Sequence, residues 1–192
     1  MGLEQDLLSD GPGFLSRRRW DHCLRTADYA VFMAHHFSID PEKVRLSALA
    51  HDLAREQRAE TILEWALLDQ DELSPFHFSH PVLLHGFASA WYLRKHYGQD
   101  DPSILNAVRY HTTGHPVLDG PGLIVFAADY MEPGRSHLTD LDRDELLTLS
   151  LEGLVLSILD SMNLYLLRKK ADLAPDSREL YQILKKRYNV CP

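Results

Sequence analysis

The sequence predicts an all-helical bundle of about seven or eight helices in one domain. Three observations carry that prediction. Apolar residues recur at helical spacing along most of the chain, no stretch alternates as a strand would, and Asp-Pro and Gly punctuation divides the chain into helix-length pieces. At 192 residues the chain is long enough to bury one core, and a hydrophobic fraction of 45% with 25% charged residues is ordinary for a globular domain.

Ser16 is placed to cap a first helix from Arg17 to Phe37. Asp40-Pro41 puts a cap before a proline at the first helical position, opening a helix that runs to about Ala54. A short helix from Ala59 to Leu68 follows. Asp69 to His80 has no clear period and contains Ser74-Pro75, which predicts a surface loop able to act as a lid. Pro81 to Tyr97 is helical and ends at Gly98. Asp101-Pro102 repeats the capping device for a helix ending near His111. Thr112 to Gly122 is rich in Gly and Pro and reads as a loop, and Pro121 to Met131 as a short apolar helix stopped by Pro133-Gly134. Leucine spacing predicts one long helix from about Arg143 to Lys170, and a last helix spans Pro175 to Tyr188.

The formal charge of −8, from 20 basic and 28 acidic residues, argues against general binding to a nucleic-acid backbone. A small phosphorylated substrate remains compatible, because a metal and one or two arginines can meet its charge locally. Two cysteines, Cys23 and Cys191, form no CxxC pair and no disulfide framework, which points to a reducing cytoplasm. No signal peptide is expected, and the longest apolar run, Leu123 to Ala128, is too short to span a membrane.

Polar residues interrupt apolar stretches at several places. His51-Asp52 closes the apolar stripe of Val44 and Ala48. His111 ends the stripe of Ile104 and Val108, and Asp129 directly follows Leu123 to Ala128. His22 shares a helix face with Thr26 and Ala30, and His85 follows Pro81 to Leu84. Each alone also reads as a core histidine, a surface cap or a salt-bridged acid. Together they offer four imidazoles and two carboxylates beside apolar sequence, where an unpaired charge is expensive and a divalent cation removes the expense. Mixed His and Asp donors suit iron, manganese or zinc at a catalytic site. Cys23 adjoins His22, but neighbouring helical residues point about 100° apart, so it stays outside the set. Histidines 35, 36, 77, 80, 96, 115 and 137 read as bystanders, with His80 and His115 flanking ligand segments.

The ordered series His22, His51-Asp52, His85, His111, Asp129 resembles the HD-domain metal-dependent phosphohydrolase superfamily. Leu84-His-Gly86, Tyr110-His-Thr-Thr-Gly114 and Ala128-Asp-Tyr-Met-Glu-Pro-Gly-Arg135 look like the YqeK-type symmetrical diadenosine tetraphosphatases. The resemblance covers Arg17 to Arg135, with the C-terminal helices, 143 to 188, completing a single HD domain over 1–192. It implies one metal held by His22, His51, Asp52 and Asp129, and a second reached by Asp52 and completed by His85 and His111. It also implies a di-iron centre first, with manganese or another transition metal as options. The reaction implied is cleavage of diadenosine tetraphosphate into two ADP by attack of a metal-activated hydroxide on phosphorus. Arg135 and Arg55 would stabilise phosphate charge, with Thr112, Thr113, Gly114, His80 and His115 near the substrate. Two departures stand out: Arg55 replaces a common family lysine, and His115 replaces a family arginine. Two other readings stay open: another HD nucleotidase or nucleotide phosphohydrolase, and a non-catalytic nucleotide-binding module. The Leu-rich segment Glu145 to Leu167 either closes the core or offers a homodimer face.

Overall fold

A computed structural model describes residues 2–70 and 73–188, so Cys191 and the Asp71-Glu72 part of the expected loop lie outside the described residues. The architecture is all-helical, as expected, with eleven α-helices among the described residues rather than seven or eight. They are α1 (Leu3–Phe14), α2 (Arg17–Phe37), α3 (Pro41–Ala50), α4 (Ala59–Asp69), α5 (Pro75–Ser79) and α6 (His85–Tyr97). They continue as α7 (Pro102–Tyr110), α8 (Gly120–Met131), α9 (Asp140–Leu147), α10 (Leu151–Arg168) and α11 (Pro175–Tyr188). A 3₁₀ turn over Pro81–Leu84 leads into α6.

The bundle is organised around α8. Leu123 to Ala128 are all buried, so this helix is apolar all round, as a central helix must be. It packs against α2, α3, α7 and α10, and α2 packs along α3. The caps expected from sequence are made: the side chains of Ser16, Asp40 and Asp101 accept backbone N–H groups of the first turns of α2, α3 and α7.

Three differences from the sequence reading have physical causes. α1 went unrecognised because Gly11, Pro12 and Gly13 weaken its helical signal. It forms by packing: Leu7 is fully buried, and a Cβ at Gly11 would overlap the Trp20 ring. The expected long C-terminal helix is two helices. Thr148 turns back to donate its hydroxyl to the Glu145 carbonyl, and Ser150 restarts the chain by capping Gly153 N–H. Inside the expected Asp69–His80 loop, Ser74-Pro75 opens the short helix α5.

The helix expected to reach Ala54 ends at Ala50, and tighter i to i+3 hydrogen bonds carry the chain through His51-Asp52 to Gln57. This turn is pinned to α6 by Ala54 N–H donating to the buried Ser89 Oγ at 3.0 Å. Gly86 lets α6 lie against α7, because a Cβ there would collide with the Arg109 carbonyl. Arg109, next-but-one to His111, is clamped by two hydrogen bonds to the buried Asp69 carboxylate of α4. These contacts fix the ends of α3, α6 and α7 relative to α2 and α8.

Candidate metal centre

The six polar residues singled out in the sequence converge at one place from five elements or turns. His22 comes from the middle of α2, His51-Asp52 from the turn after α3, His85 from the first position of α6, His111 from the end of α7 and Asp129 from the last turn of α8. His22, His51, Asp52, His85 and His111 are buried, and Asp129 has a side chain 18% exposed.

Two trios emerge, each with donor atoms within 4.8 Å of one another: His22, His51 and Asp129, and Asp52, His85 and His111. Asp52 stands between them. Its Oδ1 lies 3.1 Å from His85 Nε2 and 3.6 Å from His111 Nε2, while its Oδ2 lies 3.4 Å from His51 Nε2 and 3.9 Å from His22 Nε2. His22 Nε2 is 3.0 Å from Asp129 Oδ1, although the pair lacks hydrogen-bonding alignment.

All four imidazoles are held by Nδ1. His51, His85 and His111 each donate to the carbonyl three residues back, those of Ala48 at 2.6 Å, Val82 at 2.6 Å and Val108 at 2.8 Å. A carbonyl only accepts, so each neutral ring carries its proton on Nδ1 and turns the Nε2 lone pair inward. His22 reaches the same state through the buried Glu132, whose Oε1 lies 3.1 Å from His22 Nδ1. Glu132 is itself fixed by Arg25 and by Gly134 N–H.

The inward lone pairs then face each other and the carboxylates. His85 Nε2 and His111 Nε2 are 3.1 Å apart, and the Nε2 atoms of His22 and His51 are buried without a hydrogen-bond partner. Such a convergence of acceptors fits a divalent cation, which satisfies all of them at once. The charge balance points the same way. Burial raises the Asp52 carboxyl, but the neighbouring His51, His111 and His85 outweigh it and hold the acid well below its usual range. Asp129 is likewise held low, because His22, His51 and Arg135 outweigh burial. Burial lowers His51, yet Asp52 and Asp129 overcome it and raise the ring; at His111 burial prevails and the ring is lowered. The acids are charged and ready to bind a cation.

Around the cluster, Arg135 grips Asp129 through its carboxylate and its backbone oxygen, the latter at 2.8 Å. Arg55 Nη1 shares the Val82 carbonyl with His85 Nδ1. Thr112 Oγ1 lies 3.1 Å from His111 Nε2. Thr113 and Gly114 meet α11 instead: the Thr113 carbonyl accepts from Ser177 Oγ, and a Cβ at Gly114 would press on Leu180. His115 stacks on Tyr110 at 4.2 Å and accepts Val117 N–H, and the exposed His80 stacks on Phe76 at 4.1 Å. None of Thr112, Thr113, Gly114, His80 and His115 lines the two cavities that flank the cluster.

Sequence reasoning passed over Arg19, Arg25 and Glu132. Arg19 Nη1 donates to Asp52 Oδ2 at 2.9 Å; it precedes His22 by three residues on the same helix face, which was the available signal. Glu132 lies within the Glu-Pro-Gly-Arg segment, where only the arginine was expected to act. Cys23 is closer than its helical direction suggested, with its thiol within 4.8 Å of His51 and Asp52 donor atoms. Burial chiefly pushes that thiol well above its ordinary value and keeps it protonated.

The chain is similar to known proteins over most of its length. The HD-domain family model matches residues 19–134. A Halalkalibacterium halodurans protein named bis(5'-nucleosyl)-tetraphosphatase, symmetrical, is 32% identical over 88% of this chain and 90% of its own length. A Bacillus subtilis protein of the same name is 25% identical over 88% of this chain and 91% of its own. The crystal structure of a predicted HD superfamily hydrolase involved in NAD metabolism from Clostridium acetobutylicum superposes with a TM-score of 0.88 at 30% identity, covering 95% of this chain and 97% of that one. With a matched domain over more than half its length and relatives aligned nearly end to end, this chain belongs to the HD-domain family, among the symmetrical bis(5'-nucleosyl)-tetraphosphatases.

Proposed function

We propose that this chain is a metal-dependent hydrolase that cleaves diadenosine tetraphosphate symmetrically into two ADP. The observation that carries the reading is the pair of buried His/Asp trios joined by Asp52, set in a chain whose relatives bear that activity in their names. His22, His51, Asp52 and Asp129 would hold one metal, and Asp52, His85 and His111 the other. Bound there, the pair supplies positive charge to phosphoryl oxygens and makes water acidic enough to act as a nucleophile near neutral pH. Mixed His and carboxylate donors favour a di-iron centre over a structural zinc, with manganese also accommodated.

The chain's own residues do the remaining work. The Nδ1 anchors keep four rings oriented with no rearrangement needed on binding. Arg19 and Arg135, both paired with ligand carboxylates, present guanidinium groups where phosphoryl oxygens would lie, and Arg55 stands beside His85. The central P–O–P oxygen leaves as part of an ADP phosphate, a stable anion, so little acid assistance is needed. The two-cysteine composition suits a cytoplasmic enzyme.

The test is product analysis by chromatography. ADP as sole product from diadenosine tetraphosphate, lost on chelation, is expected. AMP with ATP, or release of inorganic phosphate, would contradict symmetrical cleavage.

A further inference from the structure

Two unlike cavities flank the metal centre. The larger, of about 640 Å³, opens beside His85 and is walled by Ile62, Leu63, Phe78, Val82 and Leu84. Its size is that of a pocket for a nucleoside-sized ligand, and an apolar wall with a few polar groups suits a purine. Phe78 is more than half exposed at its rim, where a flat ring is available for stacking. The smaller, of about 250 Å³, opens beside His22 and carries four guanidinium groups, from Arg18, Arg19, Arg25 and Arg135. Its carboxylates are Glu56, which accepts from Ser16, and Glu132, already matched by Arg25 and His22. That volume is below the roughly 300 Å³ at which small-molecule pockets begin, and the lining has no apolar wall for a base.

The cavities meet at Arg19 and Glu56, and each takes one wall from a different trio. A polyphosphate leaving the apolar cavity therefore crosses the metal centre and enters the arginine cavity.

We propose that the site reads only one end of its substrate. A nucleoside occupies the apolar cavity, and the far half is held through its phosphates alone, so its nucleoside lies outside in solvent. This rests on the hydrolase reading above and adds a substrate class: nucleoside 5'-tetraphosphates that have no second nucleoside. With adenosine 5'-tetraphosphate, the oxygen of one water bonds to the second phosphorus from the nucleoside. The bridging oxygen departs with the third phosphorus, and a water proton is released to solvent. The products are ADP and pyrophosphate, and no other reactant is required.

The experiment compares metal-loaded full chain on diadenosine tetraphosphate and on adenosine 5'-tetraphosphate. Both are expected to be cleaved, the second to ADP and pyrophosphate, with kcat/KM values within about tenfold. Cleavage of the dinucleotide with the tetraphosphate more than tenfold slower would mean that both nucleosides are read, overturning this proposal while leaving the hydrolase intact. Failure to cleave either would overturn the hydrolase reading itself. A calorimetric titration with ADP gives a readout independent of turnover: Phe78→Ala is expected to weaken binding about tenfold, the size of a lost stacking partner. Unchanged ADP affinity in that variant would remove the nucleoside from the apolar cavity. Arg18→Ala is expected to lower kcat/KM for both substrates alike and to flatten its salt dependence; unchanged values would remove the far phosphates from the arginine cavity.

Discussion

At the residue scale the centre depends on hydrogen bonds behind the donors. Glu132 does for His22 what backbone carbonyls do for the other three rings, but through a side chain that mutation can remove. Glu132→Ala is expected to weaken metal affinity about 10- to 100-fold, with Glu132→Gln milder because its amide oxygen can still accept from Nδ1. Metal titration monitored by competition with a chelator measures this, and wild-type affinity in the alanine variant would remove Glu132 from the assembly. Arg135→Ala is expected to lower turnover at least tenfold with metal content near normal, and full turnover would place Arg135 outside the reaction. The convergence of the six polar residues was legible in the sequence because a charged or polar group beside Leu123 to Ala128, or closing the Val44–Ala48 stripe, is an anomaly that burial makes costly. Glu132 and Arg19 were not. Arg19 follows the polar run Ser16-Arg17-Arg18, Glu132 stands just past the end of α8, and only the packing of α8 against α2 brings Glu132 to His22.

At the element scale, five of the six proposed metal donors sit at or just beyond helix ends, and only His22 lies well inside a helix. Gly86 sets how closely α6 approaches α7, and with it the 3.1 Å separation of His85 and His111. Gly86→Ala is expected to push the helices apart, costing about 1–3 kcal/mol of stability and metal at the Asp52, His85 and His111 trio. A variant with unchanged melting and full metal content would show that the helices do not need that contact. Asp101 caps α7 and pairs with Lys43 of α3 at 2.8 Å, and the Lys43 hydrogen bond chiefly holds its carboxyl below the ordinary value. A folded pKa below the unfolded one gives stability that is present above about pH 4 and fades as the pH falls through the lowered folded value. Asp101→Ala is thus expected to cost about 1 kcal/mol near neutrality, and denaturation should show the deficit shrinking in acid. Asp-Pro caps were legible because both residue types are placed by backbone geometry. The break between α9 and α10 was masked by leucines that keep helical spacing across Thr148 and Ser150, and α1 by its glycines and proline.

At the scale of the whole molecule, five elements converge on a volume that no single helix defines. α8 forms the apolar axis, α2 and α3 bring three donors, and α6 and α7 bring two from the other side. The fold class followed from periodicity together with Asp-Pro and Gly punctuation, since most of the helices carry a recognisable apolar face. The two cavities did not, because their walls combine residues from α2, the turn after α3, α4, α5, the 3₁₀ turn before α6, the start of α6 and the turn after α8. No helix among the described residues is long and apolar enough to cross a membrane. The exposed Leu164, Tyr165 and Leu167 lie at the end of α10, in the segment whose leucines also close the core through Leu154 and Leu159.

In the proposed enzyme Asp52 joins two metal sites that act together in hydrolysis. The most direct measurement is metal analysis of anaerobically reconstituted wild type and Asp52→Ala, paired with ADP release from diadenosine tetraphosphate. Two metals per wild-type chain are expected, with loss of both metal and turnover in the variant. A variant that keeps both metals and turns over at the wild-type rate would contradict it.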